Sequence, residues 1–268
     1  MILDEIVAYK EGVVREAKRL MSLDEIKARV ADVPEPRNFR ASLEGPDVRV
    51  IAEIKRASPS KGQIADELFD PRIIAQDYAG NGAAALSVLT EDRYFGGELF
   101  HIRRARKYMP LPIMRKDFMF DPYQIYEARL HNADAILLIV RILTDDQIVD
   151  MTGIAHELGM AALVETHNEA ELHRAVDLRA EIIGINNRDL DTMTLDLATT
   201  EALAKHVPRD AILVSESGIY TREDVERVAR AGAQAVLVGT SLMQAENLAT
   251  VMAPLTSVYR PGFAPTDE

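Results

Sequence analysis

The 268-residue chain contains no cysteine. Disulfide bonds, thiolate metal sites and thiol nucleophiles are therefore excluded. Histidine is also scarce, and the six histidines do not show the spacing typical of a metal site. We therefore expect no metal, and we interpret all six histidines, including His167, as structural or surface residues.

Basic residues are also fewer than acidic residues. The chain has 31 lysine and arginine residues against 43 aspartate and glutamate residues, a formal net charge of −12 at pH 7. A mean field of this sign repels polyanions and argues against a general nucleic-acid or membrane-surface binder. We expect a small-molecule partner, no nucleic acid and no membrane, and an anionic ligand would need a local cluster of lysine and arginine.

Long apolar runs are missing too. The longest stretch, 133–140, contains Asp134, and the first residues carry early acids rather than a basic segment. This pattern predicts neither a signal peptide nor a membrane span, and we expect a cytoplasmic protein. With 47% hydrophobic residues the chain can still bury a large core, and its length suits one α/β barrel domain.

Three short segments repeat one another along the chain. Each runs from a glycine or asparagine, at Gly82, Asn132 or Gly232, through small residues into a β-rich strand. Glycine and asparagine tolerate the left-handed conformation that closes a helix, so each segment marks a helix-to-strand joint. The joints are 50 and 100 residues apart. Both separations are multiples of the roughly 25 residues that one strand–helix unit occupies.

This period predicts a (β/α)8 TIM barrel, an α/β fold whose parallel strands are covered by helices. Eight candidate strands fit it, at 48–54, 84–89, 111–116, 135–140, 160–165, 182–186, 211–215 and 235–238. Five N-cap signals mark helix starts, namely Ser22 with Glu25, Asp70 with Pro71, Asp121 with Pro122, Asn168 with Glu171 and Thr221 with Asp224. We expect an N-terminal helical extension at 1–45, a catalytic barrel at 46–260 and a C-terminal tail at 261–268. The extension is expected to cover one end of the barrel, with an interaction arm as the alternative.

Charged residues end several predicted strands, which is where barrel enzymes build their active sites. Glu53 and Lys55 are two residues apart and leave their strand on the same face, while Lys116 and Glu165 end the third and fifth strands. An internal salt bridge would explain Glu53 and Lys55 alone. Several charged strand ends around one mouth favour an active site, because desolvated charges must be matched or used.

The last two units carry a signal for phosphate binding. Ser217 and Gly218 follow the seventh strand, and Gly239 and Thr240 follow the eighth. These loops form the usual phosphate site of this fold, where glycine lets backbone N–H groups approach the anion. A tight turn would explain either pair alone, so the prediction depends on their combination.

Six motifs, in order along the chain, resemble those of the indole-3-glycerol phosphate synthase family, a family of tryptophan-pathway lyases. The resemblance covers nearly the whole chain, including the helical extension. One departure is at 244–247, where the family often has an Asp-Pro pair, and it affects the start of the last helix rather than the chemistry. The motifs lie at 52–62, 86–97, 115–118, 164–167, 185–190 and 215–219.

The resemblance implies ring closure of 1-(2-carboxyphenylamino)-1-deoxyribulose 5-phosphate with loss of carbon dioxide and water, and no cofactor. This decarboxylating lyase chemistry needs an acid at the ribulose carbonyl, for which Lys116 is the candidate. We expect the ammonium of Lys55 to lower the pKa of Lys116 toward working pH. Lys55 with Glu53 or Glu165 would serve the later dehydration, and the sequence does not rank the two carboxylates.

Other residues match family positions that contact the substrate, although core packing is an alternative for Leu137. These predicted contacts are Ser58, Pro59, Phe95, Leu137, Asn186 and Arg188. The nearest rival is phosphoribosylanthranilate isomerase, whose family generally uses a cysteine that this chain lacks. A second rival is a non-catalytic phosphometabolite-binding barrel, which would not need Lys116 or Glu165. We expect a monomer or a weak homo-oligomer.

Overall fold

Eight short runs, seven of them mostly valine, isoleucine, leucine and alanine, form parallel strands that close into one barrel. The computed structural model describes residues 2–65 and 68–263. Each barrel strand pairs with its neighbours in chain order and the first pairs with the last, which confirms the predicted (β/α)8 fold. The barrel strands are β1 (Arg49–Ile54), β2 (Ala85–Leu89), β3 (Ile113–Lys116), β4 (Ala135–Ile139), β5 (Ala161–Thr166), β6 (Ile182–Asn186), β7 (Ile212–Glu216) and β8 (Ala235–Val238).

Helices precede the barrel and connect its strands. All five predicted N-caps are confirmed, since each cap side chain accepts a hydrogen bond from a backbone N–H of the first turn. The helices are α1 (Ile2–Leu20), α2 (Leu23–Val30), α3 (Phe39–Ser42), α4 (Pro71–Gly80), α5 (Phe100–Arg106), α6 (Pro122–Leu130), α7 (Asp145–Glu157), α8 (Glu169–Asp177), α9 (Ala198–Leu203), α10 (Arg222–Ala231), α11 (Thr240–Met243) and α12 (Leu248–Thr256).

The three predicted helix-to-strand joints have the expected backbone conformation. The φ angles of Gly82, Asn132 and Gly232 are 90°, 68° and 120°, all in the left-handed region. Each of these residues reverses the chain at the end of a helix, so the next strand can start beside the previous one. The repeated sequence pattern therefore reports the period of the barrel correctly.

Alternate residues of each strand face opposite sides of the barrel wall. On β1, Val50, Ala52 and Ile54 belong to the apolar layer between the strands and the surrounding helices, whereas Ile51 belongs to the apolar cluster inside the barrel. The inner row continues along β1 to Glu53 because side chains two residues apart share a face. The same alternation aims the last inner residue of each strand at the carboxyl-end mouth.

The N-terminal helices contact both ends of the barrel, whereas the sequence predicted a cover for one end. Phe39 of α3 and Leu43 are buried with the interior side chains at the strands' amino ends. At the opposite end, Ile2, Leu3 and Ile6 of α1 line the cavity in the mouth. The amphipathic extension therefore closes the base of the barrel and borders its mouth.

Two features of the remaining chain complete the fold. The loop after β1 contains a two-stranded antiparallel ribbon that pairs 57–58 with 62–63. No helix in the described part of the chain is both long and apolar enough to cross a membrane. Of the predicted tail at 261–268, residues 264–268 lie outside the described residues.

Candidate active site

One cavity at the carboxyl ends of the strands is lined by all of the residues that the sequence proposed for a site. The three proposed groups, acid–base, substrate-contacting and phosphate-contacting, therefore share one cavity. They are Glu53, Lys55, Lys116 and Glu165; Ser58, Pro59, Phe95, Leu137, Asn186 and Arg188; and Ser217, Gly218, Gly239 and Thr240.

The centre of the cavity is a cluster of charges around Lys116. Its Nζ lies 2.8 Å from Glu216 Oε2, 3.5 Å from Glu165 Oε2 and 3.8 Å from Glu53 Oε2. The second ammonium, Lys55 Nζ, lies 2.7 Å from Glu53 Oε1. The three carboxylates are buried, and they come from β1, β5 and β7. Strands far apart in sequence thus bring opposite charges to one point that water scarcely reaches.

The expected lowering of the Lys116 pKa is wrong. Burial by itself favours the neutral amine, but the carboxylates of Glu216, Glu165 and Glu53 outweigh burial and raise the pKa of Lys116 above its ordinary value. Lys55 does not reverse this effect because Glu53 is paired with it at 2.7 Å. Lys116 is therefore a stable ammonium ion at neutral pH.

The pKa values of two carboxylates beside Lys116 are shifted in opposite directions. Burial alone would raise the pKa of Glu165, but Lys116 and His167 outweigh it and hold that pKa well below its usual range. For Glu216, burial raises the pKa to about 7, with Lys116 opposing and Glu165 adding to the rise. Environments that separate two titrating groups in this way suit acid–base chemistry. Glu165 stays ionised, whereas Glu216 can hold a proton near neutral pH.

His167 lies immediately behind Glu165, and its side chain is only 5% exposed. Its Nε2 is 3.1 Å from Glu165 Oε1, and its Nδ1 is 3.0 Å from Glu171 Oε2. Burial opposes its protonation, but the two carboxylates outweigh burial and raise the pKa of His167 to about 10. The sequence interpretation of His167 as structural or surface missed this contact, through which the imidazole fixes one oxygen of Glu165.

Two glycines leave the space that the charged side chains occupy. A Cβ on Gly184 would collide with Glu216 Oε1, and one on Gly239 would collide with Glu53 Oε1 and lie 2.9 Å from Lys55 Nζ. The sequence explained Gly239 by the approach of phosphate alone. The structure gives it a second reason, because any side chain there would displace the Glu53–Lys55 pair.

The mouth has an apolar side and a hydroxyl-rich side. The rings of Phe95 and Phe118 pack with centroids 6.0 Å apart. Leu137 is buried among the interior side chains and also lines the cavity. Core packing and cavity lining are thus both correct descriptions of Leu137. On one strand end, the Oδ1 of Asn186 accepts a hydrogen bond from the backbone N–H of Arg188 at 3.0 Å, which shapes the start of that loop.

On the hydroxyl-rich side, the loop after β7 turns sharply. Ser217 and Gly218 both have positive φ angles, 66° and 79°. Beside this loop, after the neighbouring strand β8, Thr240 and Ser241 begin α11, and the buried Ser241 hydroxyl has no hydrogen-bond partner among the described residues. Buried polar atoms are normally satisfied, so an unpartnered hydroxyl beside a cavity suits a bound ligand.

The sequence prediction missed Glu216, although the signal was present. Glu216 lies within the family motif at 215–219, but the sequence prediction assigns no role to its carboxylate. Ile212 and Val214 face the barrel interior, and a period of two places Glu216 on the same face. The apolar contribution of Ile2 and Ile6 had no comparable signal, because it depends on where α1 docks.

Comparison with known proteins identifies the family. The sequence profile of the family described as "Indole-3-glycerol phosphate synthase" matches residues 3–255. The chain belongs to this family. Membership confirms the activity predicted from the motifs, the decarboxylating and dehydrating ring closure of an anthranilate phosphosugar in tryptophan biosynthesis, carried out by a carbon–carbon lyase.

Individual relatives agree with the family match. An indole-3-glycerol phosphate synthase from Dehalococcoides mccartyi is 45% identical over 259 residues, covering 95% of this chain and all of the relative. One from Acidithiobacillus ferrooxidans is 48% identical over 247 residues, covering 91% and 94%. Among solved structures, 3-hexulose-6-phosphate synthase from Salmonella typhimurium superposes with a TM-score of 0.62 at 13% identity, covering 78% of this chain and 97% of that one. At that identity the superposition supports the fold alone.

The raised pKa of Glu216 generates a prediction for this lyase. If the Glu216 carboxylate must be ionised to hold Lys116, kcat/KM, which reports the groups of the free enzyme, should rise with pH through about 7 and level off above it. Glu216→Gln keeps an acceptor oxygen but cannot titrate, so its kcat/KM profile should lose this limb. An unchanged limb in the variant would assign it to another group.

The same pKa shift makes the stability of the folded protein depend on pH, and this dependence can be measured without substrate. The folded-state pKa lies above the ordinary value of 4.5, so the folded protein binds the proton more tightly than the unfolded chain. The contribution of Glu216 is present below pH 4.5 and is lost as the pH rises through about 7. As the pH rises across this window, the unfolding temperature of Glu216→Gln should therefore increase relative to that of the wild type.

Proposed function

We propose that Lys116 is the general acid of the ring closure and that Glu216, Glu165 and Glu53 hold its ammonium in place. The observation that carries this proposal is the position of Lys116 Nζ, within 3.8 Å of a carboxylate oxygen from each of β1, β5 and β7. In the first step, the ring carbon that bears the carboxylate attacks the ribulose carbonyl carbon. A carbon–carbon bond forms and the carbonyl oxygen becomes negative.

The raised pKa of Lys116 suits this step. An ammonium that stays charged throughout the working pH range stabilises the developing oxyanion electrostatically inside a cavity of low polarity. As the oxygen becomes a strong base, a proton passes to it from Lys116. The bond to the substrate carboxylate then breaks, carbon dioxide leaves, and its bonding electrons restore the aromatic ring.

Dehydration follows, and the Lys55–Glu53 pair is placed for it. The new hydroxyl leaves as water with a proton from Lys55, while a base removes a proton from the ring methylene beside the nitrogen, and the electrons of that C–H bond form the double bond that completes the indole ring. Glu53 is 2.7 Å from Lys55, whereas Glu165 is engaged by Lys116 and His167. We therefore assign the base role to Glu53 and a positioning role to Glu165.

The substrate's other groups match the remaining walls. Phe95 and Leu137 offer apolar surface to the anthranilate ring, and Arg188 and Asn186 offer donors to its polar groups. Ser58 and Pro59 shape the loop after β1 at the rim of the cavity. The phosphate is proposed to lie between the turn at 217–218 and the start of α11, where hydroxyls and glycine backbone converge.

We also propose that the enzyme works in the cytoplasm as a monomer or weak homo-oligomer. Every charged group of the Lys116 cluster comes from one chain, so a second copy is not needed to complete the site. Sedimentation velocity of the purified chain tests the second part.

Lys116→Met tests the proposed acid. We expect kcat to fall by about 10²–10⁴-fold, the range for loss of a general acid, while the substrate still binds. Lys107→Met removes an exposed lysine and serves as the control, with kcat unchanged. Loss of the ammonium also leaves three carboxylates without their shared partner, so folding is checked by circular dichroism. A folded variant with near-normal kcat would move the acid role to Lys55.

Thr240→Val tests the phosphate position. The variant lacks the hydroxyl that would donate a hydrogen bond to the charged phosphate. KM should therefore rise by about 10-fold or more with little change in kcat, since a hydrogen bond to a charged group contributes about 1.5–3 kcal/mol. Thr240→Ser keeps the hydroxyl and should restore KM. If Thr240→Val instead lowers kcat at unchanged KM, the hydroxyl does not act on the phosphate.

A further inference from the structure

A group of side chains of the types that ligate metals lies outside the active-site cavity. Glu169 and His173 are four positions apart on α8, so they share one face of that helix. His206 ends the short 3-10 segment that follows α9, and its ring packs against His173. One ligand atom from each of the three residues lies within 4.8 Å of the others. None of the three lines the cavity that contains Lys116.

The distances between these groups resemble those around a tetrahedral ion. With metal–ligand bonds of about 2.0–2.1 Å, tetrahedral angles separate neighbouring ligand atoms by about 3.4 Å and two bound imidazole centroids by about 5 Å. Here His206 Nε2 is 3.6 Å from Glu169 Oε1, and the centroids of His173 and His206 are 5.5 Å apart. Small rotations of exposed side chains would close the remaining gaps.

The donor set is also chemically suitable. Two imidazole nitrogens and one carboxylate oxygen are ligands that Zn²⁺ accepts, and three protein ligands leave a fourth position for water. The Glu169 side chain is 62% exposed and that of His206 is 33% exposed, so an ion can enter from solvent. A simple ion pair would account for Glu169 and His206, but it would not need His173 on the same face and within the same 4.8 Å.

We propose that Glu169, His173 and His206 form a surface site for a divalent transition metal, with Zn²⁺ the best match, which ties α8 to the segment after α9. The ion would link two successive strand–helix units of the barrel wall. Its role would be structural, because the proposed chemistry uses side chains of the separate mouth cavity. The inference does not depend on the proposed catalytic roles.

The sequence had predicted no metal because the spacing is incomplete along the chain. Glu169 and His173 supply only two ligands, and the third is 33 residues beyond His173. Only the packing of the segment after α9 against α8 brings His206 to the pair. The complete absence of cysteine simplifies the test, because no thiolate competes for the ion.

The test uses the untagged full-length chain after exhaustive chelation and dialysis. Isothermal titration with Zn²⁺ should show one saturable site, and Co²⁺ should give the intense visible absorption of a tetrahedral complex. The unfolding temperature should rise with Zn²⁺ concentration, because an ion that binds only the folded chain stabilises it. Turnover of the chelated enzyme should equal that of the untreated enzyme.

Matched variants locate the site. His173→Gln and His206→Gln should each weaken Zn²⁺ binding by at least about 10-fold and abolish the Co²⁺ spectrum, since each removes one of three ligands. His156→Gln, which changes an exposed histidine of α7, should bind as the wild type does. All three should keep the wild-type kcat. A wild type without saturable binding, or His173→Gln and His206→Gln that bind as tightly as the control, would overturn the proposal, and lost turnover after chelation would overturn its structural role.

Discussion

The ion-pair cluster around Lys116 is the interaction on which the rest of the active site depends. Three buried carboxylates surround one ammonium, and each comes from a different strand of the barrel. Isolated charges in this setting would be strongly destabilising, and removal of one partner from a buried pair typically costs about 3–5 kcal/mol. The closed barrel makes the cluster possible because it aims the inner row of every strand at the same mouth.

Neighbouring residues fix the positions of the carboxylates in this cluster. Gly184 and Gly239 leave room for the carboxylates of Glu216 and Glu53, and His167 holds the rear oxygen of Glu165. As a result, chemically identical carboxyl groups have different pKa values, since Glu165 remains ionised, whereas the pKa of Glu216 rises to about 7. One fold thereby provides both a fixed counter-charge and a titrating partner for Lys116.

Local rules recovered much of this arrangement from the sequence. Turn residues gave the barrel period, and a period of two placed Glu53 beside Lys55. The failures share a cause, since they depend on pairs that meet across the barrel. The direction of the Lys116 pKa shift was wrong because Glu216 is 100 residues away in sequence and was given no role. The approach of His206 to His173 and of α1 to the mouth also needed tertiary packing.

The protonation state of Lys116 tests the central claim most directly. Nuclear magnetic resonance of the lysine side chains, with Lys116 assigned by its absence in Lys116→Met, can follow its titration in the folded enzyme without substrate. The account predicts that Lys116 remains protonated above its ordinary pKa of 10.5, because three carboxylates stabilise the ammonium. A titration midpoint below 10.5 would contradict the account and would restore the view that Lys55 lowers the pKa of Lys116.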